Sequence, residues 1–105
     1  MTKIYIKSLF QKGYNKMKAV VTVVGKDTVG ILAKVSTGCV AHNANIIDVT
    51  QSVMKDMFTM VMLIDISDLT TDFSALQNAL YALGDEIGMK IHVMHEDIFN
   101  SMHHI

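Results

Sequence analysis

Proline and arginine are absent from these 105 residues, and there is a single cysteine, Cys39. One cysteine excludes an internal disulfide and suits a reducing compartment, so a cytoplasmic protein is expected. Without proline, and without a Gly/Ser-rich stretch, no linker divides the chain. No apolar run approaches the roughly 18 residues of a membrane span, so no membrane partner is expected. All nine basic residues are lysines, and the chain carries a formal net charge of −1. An acidic chain that lacks arginine is a poor candidate for phosphate-backbone binding, and no direct nucleic-acid contact is expected.

What is present is apolar: 50% of the residues are hydrophobic and only 18% are charged. The length allows one domain, which can close a core but leaves much of its surface exposed. Some apolar surface is therefore expected to be left over for a partner. Lys3, Lys7, Lys12 and Lys16 give residues 1–16 a charge of +4 with no acid among them, which leaves −5 for residues 17–105.

Residues 1–16, MTKIYIKSLFQKGYNK, are a basic N-terminal extension. They lack the arginines, the long apolar run and the small-residue cleavage site of targeting segments. Lys12-Gly13 can be encoded by a purine-rich codon pair that resembles a bacterial ribosome-binding sequence, which would make Met17 the true start and the extension a mis-assigned one. The other reading is a basic arm, poorly ordered or weakly helical, that docks on the acidic domain at 17–105.

Lys18 to Gly25, KAVVTVVG, is a β-branched run of strand length. Asp27 stands where a helix N-cap belongs, and Ile31, Leu32, Val35, Cys39 and His42 follow helical spacing. The small residues Ala33, Ser36, Gly38 and Ala41 would let this helix lie close to a sheet, and Asn43 or Asn45 can end it in left-handed geometry. Ile46 to Met54 alternates, with Ile47, Val49 and Val53 on one face and Asp48, Thr50 and Ser52 on the other. Lys55-Asp56 is a polar break, and Met57 to Ile66 is apolar on both faces, so the two runs read as a hairpin. Thr71 or Asp72 caps the next helix, whose stripe Phe73, Leu76, Leu80, Leu83, Ile87 ends at Gly88. Lys90 to Phe99 is the last expected strand.

This order, βαββαβ, is an α+β class, ferredoxin-like arrangement. Right-handed crossovers place both helices on one face of a four-stranded antiparallel sheet of order 4-1-3-2. The two central strands are apolar on the uncovered face as well, where water contact would favour polar residues. Self-association, most simply as a two-fold dimer, is the expectation; cover by the N-terminal extension is the alternative.

The junction Gly25-Lys26-Asp27-Thr28-Val29-Gly30-Ile31 is the most informative point. Free backbone N–H groups at a helix start suit a carboxylate or phosphate. Asp27 could cap the helix or accept a ligand ammonium. Neither phosphate-loop glycine pattern is present. His92 and His95 are three apart on a strand, so they point to opposite faces, and no metal-ligand spacing fits. Cys39 lies on the buried stripe; with His42 as its only base, it makes a weak nucleophile. No nucleophile, base and oxyanion set assembles, so no enzyme and no cofactor are expected.

GKDTVGILAKVS, followed by HNANIIDVTQSVMKDMFTMVMLIDIS, resembles the small single-domain ACT proteins. It is most similar to the UPF0237 family, and similar to the N-terminal half of the glycine cleavage system transcriptional repressor. The resemblance spans residues 17–105; one departure is Val29, where many ACT domains carry proline. It implies a ferredoxin-like fold, a homodimer, and a small ligand, usually an amino acid, at the subunit interface. The ligand is implied to sit against Asp27, Thr28, Val29, Gly30, Ile31 and Leu32, with Asn45, Ile46, Ile47 and Asp48 opposite. The ammonium would then be held by Asp27, Asn45 or Asp48. ACT domains usually regulate an attached enzyme, so a regulated protein in trans is implied here. A protein–protein interaction module without a ligand, using the methionine-rich hairpin, is the alternative.

Overall fold

A computed structural model describes residues 17–102. The elements are β1 (Lys18–Lys26), α1 (Ile31–Ala41), β2 (Asn45–Met54), β3 (Met57–Asp65), α2 (Phe73–Ile87), β4 (Met89–His95) and α3 (Glu96–Met102). The four strands form one sheet of order β2-β3-β1-β4, every neighbouring pair antiparallel. Read from the other edge, this is the expected 4-1-3-2. The readings of residues 1–16, as a mis-assigned start, an arm or a cover for the sheet, lie outside the described residues.

Alternation along β1 decides which side chains meet the helices. Ala19, Val21 and Val23 are fully buried with Met60, Met62 and Ile64 of β3, beneath Val35 and Cys39 of α1 and Leu76 and Leu80 of α2. Burying such side chains contributes about 1.5–3 kcal/mol each. The intervening residues Val20, Thr22 and Val24 pair with Leu63, Val61 and Thr59 on the opposite face. That face is apolar at its centre, as expected, and Val61 and Leu63 are half-buried on it.

Asp72 caps α2, its Oδ1 accepting from the Ala75 N–H at 3.0 Å, and Gly88 ends the helix at φ 74°. Gly84 lets α2 approach β4, because a Cβ there would lie 2.7 Å from the Met89 carbonyl oxygen. Gly38 serves the contact between the two long helices and not the sheet: its Cβ would meet Leu80 at 3.0 Å.

Three further expectations need correction. Asp27 is not a cap; α1 begins four residues later, with Gly30 at the N-cap in left-handed geometry, φ 84°. A bulge between Ile46 and Asp48 puts Ile46, not Ile47, against the core, since one inserted residue shifts the alternation. The last strand ends at His95, and Glu96–Met102 is helical and lies against β1 and β4. Its acidic first turn, Glu96 and Asp97, suits a helix start.

Candidate ligand-binding site

Residues 27–30 leave the end of β1 and turn into α1. The Asp27 N–H donates to the Asp56 carbonyl at 2.8 Å, which clips this loop to the β2–β3 turn. No side chain caps α1, and its first helical bond is Lys34 N–H to the Gly30 carbonyl at 3.0 Å. The start of α1 therefore keeps backbone donors for another partner. Asp27, Thr28 and Val29 are exposed, Val29 at 93%. Ile31 turns into the core, so only its backbone can reach a ligand, while Leu32 remains partly exposed.

Thr28 and Val29 also line an open cleft of about 590 Å³. Its other walls are Ala33, Lys34 and Thr37 of α1 and Leu83, Glu86 and Ile87 of α2. None of these six was expected from the sequence to meet a ligand. Which faces of two helices meet is a tertiary fact, and Leu83 and Ile87 read simply as the end of the core stripe.

The second group of expected ligand residues lies elsewhere. Asn45 aligns with Asp65, which aligns with Lys18 at the start of β1, whereas the loop follows Lys26 at its end. Eight strand steps separate the two levels, about 26 Å at the usual rise. One chain does not bring Asp27–Leu32 and Asn45–Asp48 together. Asn45, Ile47 and Asp48 are exposed, and Ile46 is turned toward the core.

The two sheet edges differ. On β4 the Val93 carbonyl accepts from Gln77 Nε2 at 2.8 Å and Tyr81 Oη at 3.5 Å, so side chains of α2 occupy that part of the edge. On β2 the Val49 N–H donates to its neighbour Asp48 Oδ1 at 2.9 Å. That donor therefore faces off the sheet, as by alternation do those of Gln51 and Val53. The β2 edge carries no comparable cover from a helix among the described residues.

Nothing in this geometry favours the Cys39 and His42 pair. Cys39 is fully buried, and burial pushes its thiol up to about 11. The His42 Nδ1 lies 3.1 Å from the Gly38 carbonyl, one turn back on its own helix. His92 pairs with Thr22 on the open face, while His95 stacks on Phe73 with ring centroids 4.2 Å apart.

The ACT domain family model matches residues 18–94. This chain belongs to the ACT-domain family. A UPF0237 protein of Methanococcus maripaludis is 54% identical over 86 residues, covering 82% of this chain and 96% of the relative. An ACT domain protein from Streptococcus pneumoniae has a similar structure, with a TM-score of 0.70, 41% identity, and coverage of 81% of this chain and 96% of that one. A chain described as a glycine cleavage system transcriptional repressor matches with a TM-score of 0.67 and 25% identity, over 76% of this chain and 46% of that chain. ACT domains are generally regulatory modules that bind small molecules. Among the described residues, no helix of this ACT domain is long and apolar enough to cross a membrane.

Proposed function

We propose that this ACT domain is an amino-acid sensor that works as a homodimer and regulates a separate protein in trans. The observation that carries this reading is the division of the expected ligand residues between opposite ends of one sheet. Antiparallel pairing of two β2 edges about an axis near Thr50 supplies the missing half. The copy's Asn45 then falls beside the Lys55–Asp56 turn, to which Asp27 is clipped. The uncapped start of α1 is suited to the ligand carboxylate, and Asp27, Asn45 or Asp48 to its ammonium. Pairing would also satisfy the Val49 N–H from the other copy and release the Asp48 carboxylate for ligand.

Thermal-shift screening against the amino acids, with sedimentation at micromolar concentration, tests this. A bound amino acid well above its dissociation constant should stabilise the fold by about 2–4 kcal/mol, and Asp27→Ala should remove that shift. A monomer that no amino acid stabilises would refute the reading. One observation favours a second reading, an interaction module without ligand. Met54 and Met57 are exposed at the hairpin end, Met54 at 73%, whereas Met60 and Met62 are fully buried. Adaptable exposed methionines suit a protein surface, and this reading predicts a dimer or complex with no amino-acid shift.

A further inference from the structure

We propose that the cleft between α1 and α2 is a second small-molecule site, complete within one chain, for a zwitterionic α-amino acid with an apolar side chain. The inference takes its class of ligand from the reading above and shares Thr28 and Val29 with it, but its other walls are different. The cleft lies off both sheet edges, since α1 packs toward β2 and α2 toward β4. Its volume of about 590 Å³ falls within the range of small-molecule sites.

The lining specifies the ligand. Lys34 lies on the α1 wall and Glu86 on the α2 wall, and neither side chain is in an ion pair with any described residue. A lone lysine would select a carboxylate and a lone glutamate an amine. Opposed across one cleft, the two select a molecule that carries both charges. Leu83 and Ile87 form the apolar part of the same cleft, and Thr37 adds a hydroxyl to the α1 wall. The side chain that fits between them is aliphatic. A phosphate ester would set a like charge against Glu86, and a neutral sugar would leave the charges of both Lys34 and Glu86 uncompensated. A purely apolar molecule would desolvate Lys34 and Glu86 without return.

The test is a titration of the full chain with L-leucine, followed by isothermal calorimetry and by backbone amide shifts of Thr37 and Leu83. N-acetylleucine lacks the ammonium and leucinamide lacks the carboxylate, so both should bind more weakly than leucine. Lys34→Glu places two carboxylates in the cleft and should weaken leucine binding about tenfold or more. The double exchange Lys34→Glu with Glu86→Lys should restore it, because the ligand can reverse its direction. Binding should also survive Gln51→Pro, a change aimed at the β2 edge. If leucine binds with undiminished affinity to Lys34→Glu but is lost on Asp27→Ala or Gln51→Pro, this inference falls and the interface site stands. If leucine binding follows the Lys34 and Glu86 series and ignores Asp27→Ala, the cleft is the leucine site, and the interface reading then stands only on a different amino acid whose shift Asp27→Ala removes. If no amino acid binds, both fall.

Discussion

Gln51→Pro tests whether β2 is the edge through which two copies meet. Gln51 is exposed, and its N–H belongs to the outward set defined by Val49, so β3 does not use it. Proline removes that donor and is tolerated on edge strands where the N–H faces away from the sheet. In a two-fold pair the change acts twice. Each copy loses one interchain hydrogen bond, worth about 0.5–1.5 kcal/mol, and each leaves a carbonyl without its donor, at about 1–3 kcal/mol. Allowing for partial rehydration, the pair should weaken by about 2–5 kcal/mol, or roughly 30- to 4000-fold in dissociation constant. Sedimentation equilibrium over a range of concentrations reads this directly. Far-UV circular dichroism should be unchanged, and Gln51→Ala should dimerise like the natural chain. A Gln51→Pro protein that is folded and still dimerises with the natural affinity would refute edge pairing at β2. Loss of fold in Gln51→Pro would refute the outward orientation of that N–H.

The remaining predictions concern the scaffold. Cys39 titrates near 11 against an ordinary 9.0, so the native state holds its proton longer than the unfolded chain does. This stability is fully present below pH 9 and is lost as pH rises through 11, in all about 3 kcal/mol; urea unfolding between pH 8 and 11 should show the slope, and Cys39→Ala should abolish it. Gly84→Ala should destabilise by about 1–3 kcal/mol, because the added methyl meets the Met89 carbonyl and that strand must shift; an unchanged denaturation midpoint would show that α2 is free to move out. Asp72→Ala should cost about 1 kcal/mol through loss of the α2 cap, with Asp72→Asn retaining most of it, as measured by thermal melting.

The parts of the fold set by local chemistry were legible in the chain. The stripe from Phe73 to Ile87, the cap at Asp72 and the stop at Gly88 all act within one element, and the structure bears them out. The hairpin at Lys55-Asp56 and the sheet order followed from strand composition and crossover handedness. The misread features needed information from a second element. Asp27 has the chemistry of a cap, but its backbone is held by Asp56 across the hairpin, and the helix starts only once Gly30 has turned the chain. The Ile47 bulge is invisible to alternation, because an inserted residue leaves the pattern of residue types on either side intact. Ile98 and Phe99 read as a continuing strand by composition, while Glu96 and Asp97 were the available signal for a helix. Of the expected site, Thr28 and Val29 line the cleft, whereas Lys34 and Glu86 are separated by half the chain and meet only when α1 packs on α2.

The contrast between the two edges bears on how a ligand could regulate anything. A four-stranded sheet has two edges, and each exposes a ladder that can pair with another chain. Gln77 and Tyr81 both bond the outward Val93 carbonyl of β4, which leaves β2 the more open edge for the proposed strand pairing. If ligand residues on the loop are completed by a copy's β2, the ligand binds the pair and not the single chain. Binding and association are then linked reciprocally. A ligand at a hundred times its dissociation constant favours the bound state by about 2.7 kcal/mol per site, and two symmetric sites strengthen the dimer roughly ten-thousandfold. On the proposed reading, a concentration of amino acid would thereby be converted into a concentration of dimer, to be read by a partner protein that recognises only the paired, eight-stranded surface. A ligand held in the proposed cleft at Lys34 and Glu86 would have no such consequence, because a site complete in one chain would bind monomer and dimer alike. A ligand with equal affinity for two states shifts neither. On this proposal regulation by association would belong to the β2 edge, and a ligand in the cleft would contribute to it only if α1 moved when the edge paired.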